Sequence, residues 1–387
     1  MTFPAERFDR PDRAGMRRGW RLGLAIAGSW AQSVCAQDLP APSIAAAAAA
    51  AELGGAEDQY ALASRYVNGD GVPKNDAEAA GWFRKAAEQG LAKAQNLLGV
   101  MYAHGQGVPR DDTIAITWFR KAAEQGHARA QRVLGIAYFT GASVPRDYDE
   151  AAKWIGKAAR QGDAEAESCY AAMYLNGWGV PRDDAQALKW LRVAAEQGKP
   201  DPQNRLGVMY AAGQVVPRDD AAAVKWYRKA AEHDHAKAQC NLAGMFVEGR
   251  GVPQDFAEAA KWYRKAAEHG DADAQFFLGE LCDAGRGVPQ DSAEAVKWFR
   301  KAADQGQAGA HLRLGLMYAA GHGVVRDDTE ACGYFLSARE LGDDRAPDRV
   351  RALRTQLADG DFAEALRRAD QRVEAIKRRV ADGGKAR

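Results

Sequence analysis

The chain has 387 residues, which by length alone suggests two or three ordinary domains unless the sequence repeats internally. Its 53 lysines and arginines nearly cancel 52 aspartates and glutamates, and a net charge of +1 argues against the concentrated basic footprint of a nucleic-acid binder. The 40 glycines beside 14 prolines do not signal disorder, because 47% of the residues are hydrophobic.

The first 36 residues read as a secretory signal peptide. Met16-Arg17-Arg18-Gly19-Trp20-Arg21 is a basic start, Leu22 to Ala31 is a short apolar run, and Val34-Cys35-Ala36 supplies small residues before Gln37. The apolar run is too short for a permanent bilayer span. Met1 to Gly15 carries acidic residues and proline, so Met16 is the expected start, with cleavage after Ala36 and a periplasmic or secreted location. Residues 37–54 form a linker and an N-terminal capping helix, the latter in the alanine run Ala45 to Ala51.

From residue 55 the sequence is periodic. Trp82, Trp118, Trp154, Trp190, Trp226, Trp262 and Trp298 stand 36 residues apart, with Tyr334 in the eighth place. Eight units of 36 fill residues 55–342, and a fixed period of this size predicts a solenoid. Within one unit, Gln95, Leu98, Met101 and Tyr102 follow helical spacing, and Gly105-Gln106-Gly107 ends that first helix. Val108-Pro109 turns the chain, and a second helix opens at Asp111. The N-cap column is Asn75, Asp111, Asp147, Asp183, Asp219, Asp255, Asp291 and Asp327. Glu78, Glu150, Gln186, Glu258, Glu294 and Glu330, three residues on, predict capping boxes in six of the units.

Gly99, Gly135, Gly207, Gly279 and Gly315, with Ala171 and Ala243 in the same column, predict close helix approach. The tryptophan column is expected to fill the space between helix layers, and Trp190→Ala to cost more than Tyr334→Ala, which lies near an irregular end. Residues 343–387 are expected to supply C-terminal capping helices and a basic tail: Ala346 to Leu357, then a last helix from Asp361 towards Val380.

The recurring string Ala-Gln-x-x-Leu-Gly-x-Met-Tyr, then Gly-x-Gly-Val, then Trp-Tyr-x-Lys-Ala-Ala-Glu resembles the Sel-one-like repeat (SLR) family, a relative of the tetratricopeptide repeat. The resemblance covers residues 55–342. It implies an all-α fold, a right-handed superhelical solenoid of eight helix-turn-helix repeats with degenerate caps. In that family the fold serves protein–protein contacts and complex assembly. The resemblance also implies two alternatives, an exported penicillin-binding or weak β-lactamase-like protein and a scaffold for envelope polysaccharide assembly. The β-lactamase-like relatives pair cysteines at a regular position of the helix pair. Here Cys169, Cys240, Cys282 and Cys332 fall in four different columns and read as buried free thiols.

Function should reside where the repeats differ. The columns of Lys93, Asn96, Leu97, Val100, Ala103 and His104 vary widely and cluster on one face of the first helix, which should line the concave surface. The candidate partner-binding residues on that face are Phe139, Leu175, Arg205, Phe276, Phe277, Glu280, Asp283 and Arg313, with Trp178 added from a Gly-x-Gly loop. The expected partner is a protein or peptide, with no nucleic acid and no stable transmembrane segment once the signal is removed. No catalytic, cofactor-binding or metal-binding residues are assigned. His233 and His269 share a column, with His235 close by, but zinc needs three or four converging ligands. No Ser-x-x-Lys, Gly-x-Ser-x-Gly, His-Glu-x-x-His or phosphate-binding Gly-x-x-x-x-Gly-Lys occurs.

Overall fold

The structure, a computed structural model, describes residues 43–383, and the signal-peptide reading lies outside them. All of its regular structure is helical, in nineteen helices among the described residues. Contacts divide the chain into two units, which meet in sequence between Gln197 and Gly198.

The first unit contains α1 (Ile44–Glu52) and four helix pairs. These are α2 (Ala56–Asn68) with α3 (Asp76–Glu88), α4 (Ala92–His104) with α5 (Asp112–Glu124), α6 (Ala128–Thr140) with α7 (Tyr148–Arg160), and α8 (Ala164–Asn176) with α9 (Asp184–Glu196). The alanine run therefore is a helix, N-capped by the Ser43 side chain, and it packs on α2.

The second unit contains α10 (Pro200–Ala212) with α11 (Asp220–Glu232), α12 (Ala236–Glu248) with α13 (Phe256–Glu268), α14 (Ala272–Ala284) with α15 (Ser292–Ala303), and α16 (Ala308–Ala320) with α17 (Asp328–Glu340). It closes with α18 (Ala346–Arg354) and α19 (Asp359–Gly383), and α19 packs along α17. These last two helices occupy the places expected of a C-terminal cap.

Each helix boundary has a local cause. The eight Asn and Asp N-caps of the second helices all accept hydrogen bonds from first-turn amides, as Asp111 does from Thr113 and Ile114 at 2.9 Å. Every first helix ends on a glycine in the left-handed conformation, from Gly69 to Gly321. The capping-box expectation is corrected. The N-cap amide is already used: Asp111 donates to the Tyr102 carbonyl at 3.0 Å, and Asp147 to that of Tyr138 at 3.0 Å. The acidic side chains three residues on pair elsewhere instead: Glu150, Glu258 and Glu294 each with a lysine one turn later, and Glu330 with Arg368 and Arg372 of α19.

The tryptophan column is also not where the layers are deepest. The residue after it lies deeper: Phe83, Phe119, Ile155, Leu191, Tyr263, Phe299 and Phe335 are among the large side chains with almost no exposure. The small-residue column makes room for them. A Cβ on Gly99 would come within 3.0 Å of the Phe119 ring, and one on Gly279 within 2.7 Å of Phe299. Most of the tryptophans are half-buried. A lysine three residues on covers the ring, at 3.7 Å from Trp82 to Lys85 and 4.0 Å from Trp298 to Lys301. Trp190 has Val193 at that place.

Tyr334, by contrast, is 9% exposed, stacks on Tyr318 at 5.6 Å and carries the Arg372 guanidinium at 4.0 Å. The C-terminal helix therefore makes the eighth unit as well packed as an interior one, which removes the basis for ranking Trp190 above Tyr334.

A glutamine ladder ties neighbouring repeats together in both units. Gln95 donates to the Ala87 carbonyl at 3.0 Å and accepts from Gln125 at 2.7 Å; Gln131, Gln161 and Ala123 repeat the arrangement. In the second unit Gln275 donates to Ala267 and accepts from Gln305. Glu167 interrupts the ladder. It is 1% exposed, and Gln197 donates to both its oxygens at 2.9 and 3.0 Å. An ionised carboxylate has no proton for the backbone carbonyl that its glutamine counterparts satisfy. Burial, then the charge of Asp163, raise its pKa, with the Gln197 hydrogen bond opposing.

Because the unfolded chain ionises Glu167 at lower pH than the folded one, Glu167 penalises folding increasingly as pH rises through that window. Glu167→Gln is therefore expected to stabilise the protein by about 1 kcal/mol at pH 7 and by less near pH 4. Thermal melts of both proteins at the two pH values check this, and an equal gain at both would contradict it.

Candidate partner-binding site

A groove of about 590 Å³ lies within the second unit, between the exposed faces of successive first helices. Successive repeats each contribute a stretch of its wall: α10 gives Val208 and Ala211, α12 gives Lys237, Asn241, Met245 and Glu248, and α14 gives Asp273, Phe276, Phe277 and Glu280. Arg313 of α16 and the segment from Asp343 to Arg345 close the far end. The volume falls in the range typical of ligand sites, about 300–1,000 Å³.

The floor is aromatic. Phe276 and Phe277 are half-buried neighbours, edge to face at 5.3 Å. Phe277 stacks on Tyr263 at 5.4 Å, and Phe276 leans on Phe299 at 5.7 Å. Gly309 leaves space for the Phe276 ring, since a Cβ there would lie 3.3 Å from it.

The rim is made of ion pairs between neighbouring repeats and their loops. Lys237 meets Asp273 at 2.9 Å, and the Arg313 guanidinium faces both oxygens of Glu280. Arg250 holds Asp220 at 2.7 Å and Glu248 at 3.2 Å, and donates to the Ala211 carbonyl. Hydrogen bonds from Arg250 and Arg218 bring the Asp220 carboxyl down to about 2.

Four of the nine candidate residues, Phe276, Phe277, Glu280 and Arg313, are thus brought together in one groove. The other two in this unit stand apart from it. Arg205 pairs with Asp201 on its own helix at 2.9 Å. Asp283 accepts from the Ser292 hydroxyl at 2.9 Å and faces His322 at 3.2 Å.

The remaining three lie in the first unit. Phe139 is 7% exposed and sits in the apolar core, edge-on to Trp178 at 5.2 Å; Leu175 is half-buried. Trp178 stacks on Tyr148 at 6.4 Å. That contact belongs to a series in which the middle loop residue meets the one 30 positions earlier. Arg250 meets Asp220, the Arg286 guanidinium lies over Phe256 at 5.7 Å, and His322 meets Ser292 at 2.6 Å. Trp178 thus has a structural partner of matching chemistry.

Lys237, Asn241, Asp273 and Arg345 were not among the sequence candidates. One signal did exist: Gly309, which the fold sets beside Phe276, breaks a column that otherwise holds only charged side chains, including Lys93 and Lys237.

The groove offers little for chemistry. Burial pushes the Cys240 thiol well up, so it is not a thiolate at neutral pH. No three His, Cys, Asp or Glu side chains converge in a way that could hold a metal among the described residues. His269 belongs to the interrepeat ladder, 3.3 Å from Gln239. No described helix is long and apolar enough to cross a membrane.

The fold and its repeated helix pairs define an α-solenoid of the kind used as an interaction scaffold. The Sel1 repeat model matches eight successive segments, from residues 56–91 to residues 308–343. The chain belongs to the Sel1-repeat family. It is similar to the crystal structure of a Sel1 repeat protein from Oxalobacter formigenes, at 39% identity and a TM-score of 0.61 over 71% of this chain and 80% of that one. It is also similar to a protective antigen present in uropathogenic Escherichia coli strains that displays an SLR fold. There the identity is 28% and the TM-score 0.54, over 88% of this chain and 97% of the other. No curated protein matches the chain by sequence.

Proposed function

We propose that the protein is a non-catalytic scaffold or adaptor, exported to the cell envelope or beyond, that binds a protein or peptide partner on the variable face of its first helices. One observation carries the binding reading: two adjacent phenylalanines are left half-exposed on the floor of a groove, in columns where other repeats hold Asn96, Ser168, Arg205 and Asn241. Partly open aromatic anchors in a concave site supply a disproportionate share of binding energy. The export reading rests on the basic, apolar and small-residue order of the first 36 residues.

Cross-linked capture from envelope extract, with wild-type and Phe277→Ala protein side by side, tests the proposal. A specific partner should be retained by the wild type, and the substitution should weaken its binding by at least about 1 kcal/mol without loss of helicity. A partner held equally by both would sink the groove assignment. An intact N-terminus at Met1 in a cytoplasmic fraction would sink the export reading.

A further inference from the structure

Resting on that interaction reading, we propose that the groove receives a peptide segment with an aromatic or large aliphatic side chain beside a carboxylate. The apolar group sits on Phe276 and Phe277, and the carboxylate meets the guanidinium groups of Arg313 and Arg345.

Charges are layered at the end of the groove. In both ion pairs the anion lies beneath and the cation faces outward. Arg313 is 37% exposed over Glu280 at 8%, and Arg345 is 70% exposed over Asp343 at 6%. The total charge balances, but this end of the groove presents cations, so the field close to the surface there favours an incoming anion. The hydrogen bonding points the same way. Arg345 spends its Nε and one terminal nitrogen on Asp343, at 3.0 and 2.7 Å, while Arg313 gives one terminal nitrogen to Glu280 and sets its Nε beside the other oxygen in an ion pair. That leaves Nη1 of each guanidinium unspent, and a planar guanidinium edge suits a carboxylate.

The two pairs also share one place: Glu280, Arg313, Asp343 and Arg345 all line the same groove. A cationic segment would meet two guanidinium groups with their carboxylates already filled. A wholly apolar segment would leave them facing nothing.

Fluorescence anisotropy with the full chain tests this, using a labelled, end-capped peptide Gly-Ser-Phe-Glu-Ser-Gly and counterparts with glutamine or lysine in place of the glutamate. The acidic peptide is expected to bind about tenfold more tightly than the glutamine one, as a charged hydrogen-bonded contact does. That preference should vanish in Arg345→Gln. It should also vanish in the double variant Arg313→Gln with Glu280→Gln, which leaves no buried charge unpaired and guards against a folding defect. Equal binding of the acidic and glutamine peptides overturns the carboxylate assignment while leaving the scaffold reading intact. Binding of none of the three overturns the groove as a peptide site, whatever partner is captured elsewhere on the molecule.

Discussion

Phe299→Ala is expected to destabilise the protein by about 3–5 kcal/mol, and Phe277→Ala by only about 1 kcal/mol, although both remove the same side chain. Phe299 is fully buried, and its ring rests against Gly279 so closely that a Cβ there would lie 2.7 Å away. Removing the ring opens a cavity between two helices whose backbones already approach as near as they can, so collapse cannot fill it. Phe277 has one face on Tyr263 and lines the open groove, so its removal uncovers part of the Tyr263 ring but leaves no closed cavity. Denaturant titration followed by circular dichroism separates the two. Equal shifts in midpoint would mean that Phe277 is core and that the variable columns do not mark a binding face.

Acidification is expected to destabilise the second unit through His311. This residue replaces glutamine in the ladder column, is 2% exposed, and places Nε2 3.0 Å from the Ala303 carbonyl, where only the donating tautomer fits. Its Nδ1 has no hydrogen-bond partner. Burial is the main reason that its pKa falls to about 4; the hydrogen bond to Ala303 opposes this, and the nearby Arg372 charge adds to it. Between the ordinary value of 6.5 and about 4, the unfolded chain takes up a proton that the folded chain refuses. Stability therefore falls as pH drops through that window and levels off below it, by a total of about 3 kcal/mol. His311→Gln keeps a donor for the Ala303 carbonyl and has nothing to titrate at that place, so its stability should fall less than that of the wild type over the same range. Melting curves from pH 7.5 to pH 4 compare the two, and parallel profiles would remove His311 as the source of acid sensitivity.

Both results depend on distinguishing residues that pack from residues that are free. Recurrence within the chain revealed much of that distinction. The period, the paired helices, the N-cap aspartates, the left-handed glycines and both terminal caps are local or nearest-neighbour features. A 36-residue unit that touches only its neighbours writes such features directly into its sequence. Phe276, Phe277, Glu280 and Arg313 stood out for the same reason, as departures from the repeat on one helical face.

What the tertiary structure decided is how each departure is satisfied. Phe139 is as irregular in its column as Phe277, yet Tyr148 and Trp178, brought near it by the fold, bury it in the core. Glu150 has the spacing of a capping box, but the carbonyl of Tyr138 has already taken the amide it would need. The tryptophans recur most visibly, while the glycine column sends the following residue into the layer between helices. Arg345 lies outside the repeats and gains its place because the turn between α17 and α18 brings it to the end of the groove. Sequence periodicity records which positions must be alike. Which of the unlike positions stays open to a partner depends on contacts 30 or more residues away, and those exist only once the repeats have stacked.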